Sequence, residues 1–225
     1  LPGDLVGDPN TSVHLSGDGA TLARIPYSSD LNGGLSPDGS WTVECWVRPD
    51  FNGADAGFAV PVANVNLAAN RSGYFWLEQA DGWQLRLGNG SGYLTDWNGA
   101  AGSVGGPPQA NTWYYLVGAY DGATATGYIY INGVQVKSNS VVGLVVNDAA
   151  TFNIGDRGDG APFAGRVDEV AVYNGVLPSN RIAAHYYAGQ PPKITITRTG
   201  GSISLSWPTG VGVLYEAGEA ADGPR

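Results

Sequence analysis

The chain has 225 residues, a formal net charge of -9 and only 11 basic residues, which are scattered along it. Backbone recognition of nucleic acid needs a clustered basic face, so DNA and RNA are excluded as expected partners. No apolar run reaches bilayer-spanning length, so membrane insertion is not expected either. The 35 Gly and 14 Pro, beside 12 Tyr and 7 Trp, describe many short strands joined by tight turns. The opening LPGDLVGDP lacks the basic start and apolar stretch of a signal peptide, and Met is absent throughout, which leads to the expectation of a secreted chain whose leader has been removed. The single Cys45 alternates with Val43 and Val47 in TVECWV and is expected to be a buried, inert thiol.

In chain order, SVHLS and TLARIP predict a short hairpin turned at Gly17-Asp18-Gly19. SWTVECWVRP alternates cleanly and ends at Pro49, as a strand should. FAVPVANV is apolar throughout, and Pro61 argues for an edge or a bulge. GYFWLEQADGWQLRLGN predicts a hairpin about Asp81-Gly82, with Phe75 and Leu77 opposing Leu85 and Leu87 while Tyr74, Trp76 and Glu78 point the other way. The long Gly- and Pro-rich stretch from Asn89 to Asn111 carries Tyr93 and Trp97, and loops of that length are usually functional or mobile.

TWYYLVGAYDGATATGYIYINGVQV supplies two long strands across a DGAT turn, then a second tight turn at Asn132-Gly133, and TFNIG and the loop DRGDGAP follow. FAGRVDEVAVYN then predicts a strand interior to a sheet, in which a period of two puts Asp168 on the face of Val170 and Val172, and Glu169 with Ala171 and Tyr173. LPSNRIAAHYYAG predicts the one helix, started by Pro178 and Ser179 and stopped by Gly189. After Pro191-Pro192, ITITRT, SISLSW and VLYEA read as three short strands, too few residues for a core of their own. The expected division is a domain over 1–190 and a β extension, or an incomplete fibronectin type III-like sandwich, over 191–225.

Six ordered segments, SVHLSGDGATLARIPYSSDLN, WTVECWVRP, WYYLVGAYDG, YIYINGVQV, FNIGDRGDG and FAGRVDEVAVYNGVLPSNRIAAHY, together resemble a laminin-G-like (LamG-like) jelly roll of the concanavalin A-like lectin/glucanase superfamily. The resemblance implies an all-β, two-sheet antiparallel jelly-roll sandwich of about six or seven strands per sheet. It also implies a non-catalytic module of secreted or surface proteins that binds glycans or proteins, and a calcium ion near the early hairpin and the central strand. Relatives often carry an Asp before the first glycine of that hairpin; here Ser16 stands there, with Asp18 two residues on.

The candidate calcium ligands are Asp18 with Asp168, and Asp156 with Asp159 in DRGDG. Asp168 is alternatively explained by a salt bridge to Arg166 or Arg157, or by backbone amides. Arg157-Gly158-Asp159 is read as a turn. Tyr74 with Trp76, and Tyr128 with Tyr130, share strand faces and are candidate sugar platforms, which Tyr93 and Trp97 would close. Buried packing explains the same aromatics equally well. Retaining hydrolysis needs two carboxyl groups about 5–5.5 Å apart, and the Glu-x-Asp-x-x-Glu pattern of the glucanase relatives is absent, so no catalytic residue is expected. His14 and His185 have no Ser or Cys partner in a nucleophile motif.

Two functions follow. The first is an extracellular, calcium-assisted, bacterial binding or adhesion module for a glycan or surface protein. The second is a structural subunit of an extracellular fibre, sheath or coat, joined to its own copies through residues 191–225, because unpaired strand edges seek partners.

Overall fold

The computed structural model describes residues 12–32, 38–53, 57–68, 71–94, 102–190, 195–200 and 202–206. In chain order the elements are β1 (Val13–Ser16), β2 (Ala23–Ile25), a 3-10 turn (Ser29–Asn32), β3 (Trp41–Pro49), β4 (Val62–Asn66), β5 (Ser72–Gln79) and β6 (Gly82–Leu87). Then come β7 (Tyr114–Asp121), β8 (Thr126–Ile131), β9 (Val134–Ser140), β10 (Phe152–Ile154), β11 (Ala164–Tyr173), the helix α1 (Ser179–Ala188), β12 (Thr195–Thr199) and β13 (Ser202–Ser206).

The strands form a six-stranded sheet, β1-β11-β3-β7-β8-β9, and a five-stranded sheet, β2-β10-β4-β5-β6, all antiparallel. β11 lies between β1 and β3, inside its sheet, as its apolar composition predicts. β1 and β2 do not form the expected hairpin. β1 pairs with β11 and β2 with β10, so the Gly17–Gly19 corner carries the chain from one sheet to the other. A side chain on Gly17, at φ 73°, would strike Ala164 Cβ, which is why that corner takes glycine.

Between the sheets, β3 contributes Trp41, Val43, Cys45 and Val47, and β7 and β8 contribute Leu116, Ile129 and Ile131. They face Val62, Tyr74, Trp76, Trp83, Leu85 and Leu87 of the other layer. Each fully buried aliphatic side chain there contributes about 1.5–3 kcal/mol. The Cys45 thiol is fully buried, and its pKa is pushed up by that burial.

The orientation of β5 is the reverse of the expected one. Tyr74 and Trp76 point into the inter-sheet core, and Tyr74 stacks on Trp41 with centroids 4.4 Å apart. Phe75 and Leu77 point outward, yet they too are buried, in a second apolar layer with Val60, Ala63, Val65 and Ala161. Loops carrying Val60 and Ala161 fold over this face, joined by a bond from Val60 N to Ala161 O of 3.1 Å. Apolar residues on both faces leave alternation unable to say which face is inner. The β5–β6 register follows: Tyr74 opposes Leu87 and Trp76 opposes Leu85, whereas Phe75 opposes Arg86 and Leu77 opposes Gln84.

β11 also departs from simple alternation. Its register against β3 shifts between Asp168 and Ala171, and Glu169 there has φ 47°. The extra residue of a bulge flips the phase of everything after it. Asp168 therefore opposes Trp46, an outward residue, while Val167 opposes inward Val47 and Val172 opposes inward Val43.

α1 has the predicted bounds, with Pro178 as N-cap and Gly189 as C-cap. It lies across the outer face of the six-stranded sheet, where Ile182 is fully buried against Trp46, Tyr115, Val117 and Tyr130. β12 and β13 pair with each other, Ile196 is 69 % exposed, and neither strand joins a main sheet among the described residues. The expected third strand, VLYEA, lies outside the described residues.

Candidate functional site

Two polar constellations stand on the outer faces of the sandwich. The first is under α1. Glu44 belongs to the outward set of β3 and is buried. Its Oε2 accepts the Tyr115 hydroxyl at 2.6 Å and faces His185 Nδ1 at 3.1 Å, and its Oε1 accepts the Tyr173 hydroxyl at 2.8 Å. Arg181 Nε donates to His185 Nε2 at 2.9 Å. Arginine cannot accept, so the imidazole proton sits on Nδ1 and goes to Glu44. Burial first, then the Glu44 carboxylate, pushes the Tyr173 phenol up to about 12 and raises the Tyr115 phenol further.

This network missed detection in the sequence because Glu44 and His185 lie 141 positions apart. Its geometry favours fastening over catalysis: both carboxylate oxygens are engaged and the helix covers them. Trp46 stacks on Tyr186 at 5.7 Å and 15°, completing the attachment. Tyr130 points outward from β8 as expected, and Tyr128 lies beside it, but α1 and the aromatics under it cover this face. Neither forms an open platform. Tyr74 and Trp76 do not either, since they are core residues of the inter-sheet layer.

The second constellation is on the outer face of the five-stranded sheet. Tyr93 is half-buried and meets Phe75 edge-on, at 5.4 Å and 73°. Arg71 Cζ lies 5.6 Å and Arg86 Cζ 6.0 Å from the same Tyr93 centroid. Arg157 stacks over Phe58 and Phe75, at 4.7 and 4.9 Å, and holds Asp159 through two bonds of 2.9 and 2.6 Å. Burial holds the Arg86 pKa below its ordinary value, and the nearby Arg157 charge adds to that. Trp97, expected to close such a platform with Tyr93, lies outside the described residues.

The aspartates are dispersed. Asp18 is exposed and its Oδ1 accepts the amides of Ala20 and Thr21, at 2.8 and 3.2 Å. The Ala20 amide, aided by the Ser16 hydroxyl and the Thr21 amide, holds its carboxyl below 3.8. Asp156 is buried, and its Oδ1 accepts from Gly158 N at 2.8 Å and Ala161 N at 3.2 Å. The two loops adjoin, for a Cβ on Gly19 would sit 4.0 Å from Asp156 Oδ2. Asp168 is elsewhere. The Gly17 corner touches Ala164, and Asp168 is four residues further along β11, roughly 13 Å at strand rise. Its Oδ1 accepts the Glu169 amide at 3.0 Å.

Residues 18–183 match the family model described as the concanavalin A-like lectin/glucanases superfamily, a laminin G domain model. The chain belongs to this superfamily. No curated protein sequence matches the chain. Among solved structures, the binding domain of botulinum neurotoxin DC in complex with rat synaptotagmin II is similar at TM-score 0.58 and 13% identity, covering 91% of this chain and 55% of that one. The same domain in complex with SialylT gives the same values, TM-score 0.58, 13% identity and coverage of 91% and 55%. A heptameric SAP-like pentraxin from Limulus polyphemus is similar at TM-score 0.50 and 15% identity, covering 78% of this chain and 81% of that one. These identities show a shared fold. The chain spans about half the length of the toxin domains it matches.

In this lectin-like chain the expected calcium pair of Asp18 and Asp168 is not brought together. Asp159 is committed to Arg157. The loops of Asp18 and Asp156 adjoin at Gly19, and the Oδ1 of each aspartate accepts amides of its own turn. No cluster of three or more acidic, His or Cys side chains occurs among the described residues.

Proposed function

We propose that the chain is a non-catalytic, extracellular binding module that recognises a glycan or a surface protein. One observation carries this: the six-stranded sheet is roofed by α1, while the five-stranded sheet keeps a half-buried Tyr93 with two guanidinium groups at its surface. An aromatic edged by fixed hydrogen-bond donors is the kind of surface that orients a polar ligand. The superfamily, and the ligands named for the neurotoxin domain, support the same reading. The non-catalytic part is supported by Glu44, whose oxygens are engaged, and by Glu78, which sits in the interior at 1 % exposure. A glycan array and a surface-protein pull-down test it; silence in both refutes it.

Calcium, in this reading, is held by Asp18 and Asp156 and stiffens the corner between the sheets. Chelation then lowers the melting temperature of the wild type but not of Asp156→Asn. Equal melting of the wild type before and after chelation removes the ion.

The exposed β12–β13 hairpin favours a second reading, a structural subunit that pairs with its own copies. Deleting residues 191–225 would then turn a polymer into a monomer in light scattering, and an unchanged size refutes it.

A further inference from the structure

We propose that the outer face of the five-stranded sheet holds a subsite for a carboxylated sugar, gripped by Arg71 and Arg86 beside the Tyr93 ring. The inference rests on the glycan reading above and narrows it to one class of sugar.

Charge is the first argument. The chain carries -9 overall with only 11 basic residues, yet three arginines, Arg71, Arg86 and Arg157, gather around Tyr93, Phe58 and Phe75. Among the described residues the one carboxylate ion-paired with them is Asp159, bound to Arg157. Among the described residues the salt bridges are His14–Asp50, Arg157–Asp159 and His185–Glu44, so neither Arg71 nor Arg86 has a carboxylate partner there. A half-buried guanidinium without a counterion has lost hydration that only an anion restores well.

Preorganisation is the second. Arg86 Nε donates to Gln84 Oε1 at 2.8 Å, and Gln84 Nε2 donates to Ser103 Oγ at 2.7 Å. This chain orients the Arg86 fork and leaves its terminal amino groups for a ligand. Arg71 is oriented by its Nη1 contact with the Tyr93 hydroxyl at 3.5 Å and by the ring face. A planar carboxylate matches a guanidinium fork with two parallel bonds. Phe58, 40 % exposed under Arg157, offers an apolar edge for the C–H face of the same sugar ring.

The test is titration of the whole chain, by calorimetry, with sialyllactose and a galacturonate oligomer. Lactose, a galactose oligomer and a sulfated galactose serve as comparators. Carboxylated sugars are expected to bind at least about tenfold tighter than their neutral counterparts, a difference that Arg86→Gln and Arg71→Gln each remove. Asp159→Asn, which frees Arg157, is expected to hold or raise the affinity. Unchanged melting of both Arg71→Gln and Arg86→Gln separates lost binding from a folding defect. Equal binding of neutral and carboxylated sugars, untouched by either substitution, overturns the subsite and leaves the glycan reading standing. Preference for the sulfated sugar overturns the carboxylate assignment. Binding of no sugar at all overturns the subsite and the glycan reading together.

Discussion

Glu78 gives the sharpest test of the fold. It lies on the inward face of β5 at 1 % exposure, and its Oε1 has no hydrogen-bond partner among the described residues. Burial pushes its pKa from 4.5 up to about 8. The folded state therefore holds a proton that the unfolded chain releases near 4.5. The sign follows: Glu78 costs nothing below about pH 4.5, and stability falls as pH rises from there to about 8. At about 1.36 kcal/mol per pH unit the ceiling is about 5 kcal/mol, and relaxation of the protein around a buried charge reduces this to about 3 kcal/mol. Glu78→Gln removes the titration and keeps the shape. Urea denaturation between pH 5 and 9 should show the wild type losing that much relative to the variant. A constant offset from the amide itself does not change this difference in slope. Parallel stability curves for the two proteins across that range would refute the inward placement of Glu78, and with it the reversed orientation of β5.

Three further outcomes are expected. Glu44→Ala strands two phenols and an imidazole beneath α1 and should lower unfolding stability by about 3–5 kcal/mol in urea titrations, with Glu44→Gln less severe. Ile182→Ala should cost about 2–5 kcal/mol by the same titrations and speed amide-hydrogen exchange across α1 relative to the wild type. The Tyr173 phenol, raised to about 12, keeps its proton in the folded state, so stability present below pH 10 is lost as pH climbs through 12. Tyr173→Phe should flatten that alkaline loss, measured by circular dichroism, and an equally steep fall in the variant would count against the Tyr173–Glu44 bond.

The fold was largely legible because most strands alternate and most turns carry glycine at the needed position. Trp41–Pro49 shows this: odd positions enter the core and even ones face out. Legibility failed where two apolar faces coexist, as in β5, since period two cannot choose between two buried sides. It failed again at Glu169, a non-glycine bulge residue with nothing in VDEVAV to announce it. The early hairpin was misread because a short turn can join two strands of different sheets as readily as neighbours in one. Of the candidate site, Tyr93 was singled out from its loop, and Arg157-Gly158-Asp159 proved to be the turn expected of it, closed by its own ion pair. Arg71 and Arg86 were not anticipated, for nothing in RSGYFW or WQLRLG marks them as neighbours until β5 and β6 pair.

The sealed thiol of Cys45 has a consequence for the chemistry this protein survives. Methionine is absent from the chain, and its one cysteine is wholly enclosed between the layers. Peroxide or hypochlorous acid would thus find no sulfur within reach, neither a thioether to turn into a sulfoxide nor a thiolate to climb the oxidation ladder.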